Sequence, residues 1–181
     1  AAALLVFAYA VAPASFAAET HHRTVSVDGV NVFYREAGPA DAPAVVLLHG
    51  FPSSSNMFRN LIPALADRYH VIAPDLRGHG DSQWSSDGSY TMAGYIYDLA
   101  QLIHQLRLAP VTIVAHSYGG NIALRYAGTF PENVRKLVAI EGLGPSPKMM
   151  AERLAKPVTT RLRDWIEAKR ASAGRTPKKY A

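Results

Sequence analysis

A chain of 181 residues with 49% hydrophobic and 18% charged residues is long enough for one domain with its own core. It contains no cysteine, which excludes a disulfide framework and a thiolate metal site. The net charge of +5 is unevenly placed: residues 148–181 hold ten Lys/Arg against three Asp/Glu, net +7, and the remainder is net −2. A basic tail can serve nucleic acid or an anionic membrane surface. We read it instead as solvated helix faces, with no nucleic-acid partner expected.

The first element is an apolar run, Ala3 to Ala12, closed by Pro13 and too short to span a bilayer. Ala14-Ser15-Phe16-Ala17 follows, with small residues at the −3 and −1 positions of a cut after Ala17. Residues 1–18 therefore read as the apolar region and cleavage site of a secretory signal, and a secreted or periplasmic location is expected. Neither a basic segment nor an initiating Met precedes the run, so the sequence is expected to begin inside that signal.

Thr24 to Val27, the pair Asp28-Gly29, and Val30 to Tyr34 predict a hairpin of alternating residues around a two-residue turn. Ala44 to Leu48 predicts a buried third strand that ends in His49-Gly50-Phe51-Pro52. Ser53 to Ser55 are cap candidates for a short helix carrying Met57, Phe58, Leu61, Ile62 and Leu65. Tyr69 to Ala73 predicts a fourth strand, leading into Pro74-Asp75-Leu76-Arg77-Gly78-His79-Gly80-Asp81-Ser82. Ala93 to Leu108 repeats apolar residues at helical spacing. It crosses back to a strand from Val111 to Ala115 that stops at His116-Ser117-Tyr118-Gly119-Gly120. A helix then begins, and Leu137 to Ile140 predicts a sixth strand ending at Glu141. Pro147 to Lys156 and Val158 to Ser172 predict two amphipathic helices. Alternating strands and helices predict a doubly wound, mostly parallel α/β sheet with an antiparallel edge hairpin.

The chemistry concentrates at Ser117. A serine between a buried strand and a helix is held in a strained backbone conformation that lifts its hydroxyl out of the sheet. The turn needs small residues two positions to either side, and Ala115 and Gly119 supply them. A second strand end, at His49-Gly50-Phe51-Pro52, lies in position to offer a backbone N–H to the same site. Nothing resembles a metal site or a nucleotide loop, and no cofactor is expected.

With these motifs in order, residues 23–150 resemble the α/β-hydrolase fold family, in its HGFP-type branch. The departure is Ala115, where the usual G-x-S-x-G pattern has glycine; one methyl group is a mild change. The resemblance implies a core over residues 19–144, with residues 145–181 the start of a helical lid. It implies Ser117 as nucleophile, with the backbone N–H groups of Phe51 and Tyr118 as the oxyanion hole. His49 and Gly50 would support the loop, and Ala115 and Gly119 the elbow. The family's acid follows strand 7 and its histidine strand 8, and the sequence ends before either. Some relatives place the acid directly after strand 6, where Glu141 stands, either as that acid or as a structural carboxylate under the lid.

The histidines are His21, His22, His49, His70, His79, His104 and His116, and none reads as a base for Ser117. His79 reads as structural, together with Asp75 and Arg77, and the His116 side chain is expected to diverge from its neighbour Ser117. Haloalkane dehalogenases and epoxide hydrolases of the same branch use Asp at the elbow, so serine points to a small-molecule acyl substrate, an ester or a related bond. The expected activity is that of a serine hydrolase, seen here as an inactive fragment. The alternatives are a non-catalytic binding module and a cofactor-free perhydrolase. No stable membrane span is expected. The sixth strand, without a seventh beside it, is expected to leave a sheet edge open to self-association.

Overall fold

The protein is described by a computed structural model covering residues 18–142, 144 and 146–172. Of the signal assigned to residues 1–18, all but Ala18 lies outside these residues. The chain divides into two compact units, one up to residue 143 and one from residue 144 onward.

The first unit is a six-stranded sheet. The hairpin forms β1 (His21–Val27) and β2 (Val30–Ala37), with Asp28 and Gly29 both at positive φ, as a two-residue primed turn requires. Both strands run longer than the alternating pattern indicates, and His21 and His22 belong to β1. β3 (Ala44–Leu48), β4 (His70–Pro74), β5 (Val111–His116) and β6 (Val134–Ile140) complete the sheet in the order β1-β2-β4-β3-β5-β6. The β4–β3–β5–β6 pairs are parallel, and β1–β2 and β2–β4 are antiparallel. This is the doubly wound, mostly parallel α/β architecture that the sequence pattern predicts.

Burial follows the two-residue period. Val46, Leu48, Ile72 and Ile113 face one layer, packed with Leu99, Leu102, Ile122, Ala123 and Tyr126 from α2 (Met92–Gln105) and α3 (Tyr118–Thr129). Val45, Leu47, Val71 and Ala73 face the other, against Phe58 and Ile62. These come from a 3₁₀ turn, Ser55–Phe58, and from α1 (Leu61–Leu65). The sequence pattern merges the last two into one helix; the break falls at Arg59-Asn60. Ser54 caps the turn by accepting from Asn56 N–H, and Thr91 caps α2 by accepting from Gly94 N–H. Burial on both faces explains why the central strands read as unbroken apolar runs.

The register fixes the site. Leu48 pairs with Ala115, and His116 pairs with Ile140. The carboxyl ends of β3, β5 and β6 therefore reach one rim together, carrying His49-Gly50-Phe51, Ser117 and Glu141 with them. The second unit contains α4 (Pro147–Ala155) and α5 (Val158–Ser172), and Lys156 between them forms an exposed ion pair with Asp164 of α5 at 3.3 Å. No helix among the described residues is long and apolar enough to cross a membrane.

Candidate active site

Ser117 sits at φ 51°, ψ −115°, a combination that a non-glycine residue adopts only under constraint from its surroundings. The constraint is visible on three sides. Its N–H donates to the Ile140 carbonyl at 2.8 Å, which ties the turn to the end of β6. A Cβ on Gly50 would lie 2.7 Å from the Ser117 Cβ and 2.9 Å from the His116 carbonyl. A Cβ on Gly119 would run into the carbonyls of His49 and Leu48, which are backbone and cannot swing away. Ala115 is fully buried and its single methyl group is accommodated. Gly50 and Gly119 are thus glycine because two backbones meet there. Sequence reading missed a third such contact: Gly120 of α3 and Gly142 after β6 approach so closely that a Cβ on either would strike the other's Cα.

The expected oxyanion donors stand at this junction. Tyr118 opens α3, where its N–H has no acceptor within the helix and the helix dipole favours negative charge. A Cβ on Gly50 would lie 3.2 Å from the Tyr118 nitrogen, so the segment carrying Phe51 runs directly beside it. Phe51 itself is 71% exposed. Among the described residues neither N–H has a hydrogen-bond acceptor in the protein.

His49 is completely buried, and both ring nitrogens are used. The Leu76 N–H donates to Nε2 at 2.9 Å, so Nε2 is the acceptor and Nδ1 carries the proton it donates to the Gly50 carbonyl, also at 2.9 Å. Burial holds the imidazole below its ordinary pKa, against the opposing effect of the Gly50 bond. The ring ties the β3 loop to the β4 loop as a neutral group.

The loop after β4 is equally bound. Asp75 accepts from the N–H groups of Ser55 (2.5 Å) and Asp81 (2.8 Å), and its carbonyl accepts from Ser82 Oγ (2.7 Å). Arg77 forms a two-pronged buried pair with Asp98 of α2, at 2.6 and 2.5 Å. Hydrogen bonding to Asp98 holds the Arg77 guanidinium above its ordinary value, while burial pushes the Asp98 carboxyl up against the pull of Arg77. Asp98 had no signal in the sequence beyond being an acid on the apolar side of a helix.

The His116 ring faces Glu141: its Nε2 lies 4.0 Å from a Glu141 carboxylate oxygen. The Glu141 side chain is 84% exposed, and its backbone is at φ 56°. The other ring nitrogen of His116, Nδ1, is buried with no hydrogen-bond partner. Glu141 thus faces the histidine preceding Ser117, and among the described residues no side chain hydrogen-bonds the Ser117 hydroxyl.

Next to the elbow lies an open cleft of about 760 Å³ lined by Phe51, Pro52, His79, Tyr90, Tyr95 and Tyr118, with backbone from Gly78 and Gly80. His79, expected to be purely structural, is one of its walls. Burial raises the hydroxyl pKa values of Tyr95 and Tyr118, keeping both neutral. One rim thus holds a strained serine, two backbone N–H groups without an acceptor among the described residues, and an adjoining, mostly apolar cleft.

The chain belongs to the alpha/beta hydrolase fold family, which matches residues 43–179. An uncharacterized hydrolase of Saccharomyces cerevisiae is 40% identical over 121 residues, covering 67% of this chain and 42% of that protein. Among solved structures, an epoxide hydrolase from Vigna radiata superposes with a TM-score of 0.65 at 35% identity, covering 72% of this chain and 43% of that one. A membrane phospholipase A superposes with a TM-score of 0.68 at 31% identity, covering 71% and 41%. The chain spans less than half the length of these relatives.

Proposed function

We propose that this chain carries the nucleophile half of a serine hydrolase of the HGFP-type branch, acting on an ester-like acyl bond. Ser117 would attack the acyl carbon, and the Phe51 and Tyr118 N–H groups would receive the oxyanion. The observation that carries the reading is the Ser117 backbone at φ 51°, ψ −115°, packed against Gly50. Its relatives include both an epoxide hydrolase and a phospholipase, and the residue at the elbow favours the second chemistry. Serine opening an epoxide would leave an alkyl ether, which water does not cleave; serine attacking an ester leaves an acyl-enzyme, which water does.

The described residues give Ser117 no base, so the 181-residue chain should turn over p-nitrophenyl acetate only at the residual level left when a triad member is absent, roughly 10³–10⁴ over water. Turnover at the rate of an intact esterase, abolished by Ser117→Ala, would show that a described histidine is acting and would overturn this assignment. Glu141, at the end of β6, is proposed as the acid that supports a histidine. Residues 145–181 are proposed as lid and residues 1–18 as an export signal, which gives a secreted or periplasmic enzyme. β6 lies at the sheet edge opposite β1, with Val138 and Ile140 exposed, and self-association along it is proposed. Sedimentation should find species larger than the monomer; a monomer at all concentrations would remove that proposal.

A further inference from the structure

Beside Ser117, the cleft has a wall of rings set edge to face. Phe51 and His79 lie 5.8 Å apart at 86°, His79 and Tyr95 6.5 Å apart at 63°, and Tyr95 and Tyr118 5.4 Å apart at 87°. Aromatic rings favour this geometry over face-to-face stacking, and a planar guest can extend it. Among the described residues lining the cleft none is Asp, Glu, Lys or Arg, so none of them offsets the desolvation of a charged guest.

His79 adds a directional element. Its backbone is pinned by two turn bonds, His79 N–H to the Leu76 carbonyl at 2.9 Å and Ser82 N–H to the His79 carbonyl at 3.0 Å. Its Nδ1 lies 3.1 Å from the Arg77 carbonyl. A carbonyl can only accept, so Nδ1 carries the proton, and in the neutral ring Nε2 presents a lone pair. Among the described residues no group hydrogen-bonds that Nε2, unlike Nε2 of His49, which Leu76 N–H occupies. An acceptor held in an aromatic wall selects a guest that brings a donor.

We propose that this cleft binds an uncharged aromatic acyl group bearing a hydroxyl on its ring, and that His79 is the specificity-determining residue that accepts from that hydroxyl through Nε2. The inference rests on the serine hydrolase reading for the word acyl; the aryl preference itself does not need Ser117 to react.

The test is a titration of the 181-residue chain with three uncharged, non-reacting amides: 4-hydroxyphenylacetamide, phenylacetamide and cyclohexylacetamide. The hydroxylated ring should bind about tenfold more tightly than phenylacetamide, the margin of one net hydrogen bond, and phenylacetamide several-fold more tightly than its cyclohexyl counterpart. In His79→Phe the aryl preference should persist and the hydroxyl preference should fall to about one. As a check that needs no variant, the ¹⁵N resonance of His79 Nε2 in the wild-type chain should move with the hydroxylated ligand and hold still with phenylacetamide. Equal affinity for the two aryl amides, a hydroxyl preference that survives His79→Phe, an unmoved Nε2 resonance, or no binding of any aryl amide would each overturn the proposal. Labelling of Ser117 by a fluorophosphonate reports separately on the hydrolase reading, so either can fail while the other stands.

Discussion

His49 and His116 stand at the ends of adjacent parallel strands, on the same rim, yet they are opposite in character. His49 is fully buried, neutral and satisfied at both nitrogens by backbone groups from two loops. His116 is partly exposed, leaves Nδ1 without a partner and turns Nε2 toward an exposed carboxylate at 4.0 Å. The first ring substitutes for backbone hydrogen bonding between loops that no strand pairing could join. The second holds nothing in place. Position on the rim therefore does not mark a histidine as chemical; its set of partners does.

The harshest way to break this rim is to push α3 away from the end of β3. Gly119→Ala pushes a methyl group into the carbonyls of His49 and Leu48, and we expect a loss of more than about 4 kcal/mol in denaturant unfolding, or no cooperative transition at all. His49→Ala strands the Leu76 N–H and the Gly50 carbonyl in a buried cavity and should cost about 3 kcal/mol. His116→Ala strands no backbone group and should cost less than about 1 kcal/mol. Equal costs for the two histidine variants would erase the contrast.

Acid should sharpen it. Burial lowers the folded pKa of His49 below the ordinary value near 6.5, so between the two values the unfolded chain binds more protons than the folded one. The stability that His49 contributes is thus complete above about pH 6.5 and is lost as pH falls through the folded value. Thermal melts of the wild type should show that acid limb, and His49→Asn should flatten it. The smallest effect belongs to Glu141→Gln, which should leave the unfolding midpoint unchanged because its carboxylate is exposed and distant from its partner.

Much of this rim was legible in the sequence because it is local. Val111 to Ser117 is a strand, a turn and a small-residue requirement in one stretch, and Ala44 to Pro52 is another. Asp28-Gly29 fixes its hairpin by turn chemistry alone. What stayed hidden depends on tertiary register. Gly120 and Gly142 look like ordinary glycines until β6 is placed beside β5. Asp98 acquires its role from Arg77, 21 residues away, and the cleft joins Phe51, His79, Tyr90, Tyr95 and Tyr118 from two separate loops and two helices. His79 looked structural for the same reason: its Arg77 contact is local, and its place among the aromatic rings is not.

The central proposal is that Ser117 is the nucleophile. The most direct measurement is peptide mapping by mass spectrometry after exposure of the protein, and of its Ser117→Ala variant, to a fluorophosphonate. We expect a single phosphonylated peptide with the adduct on Ser117, absent from the variant. An adduct on another serine, or equal labelling of the variant, would contradict the account.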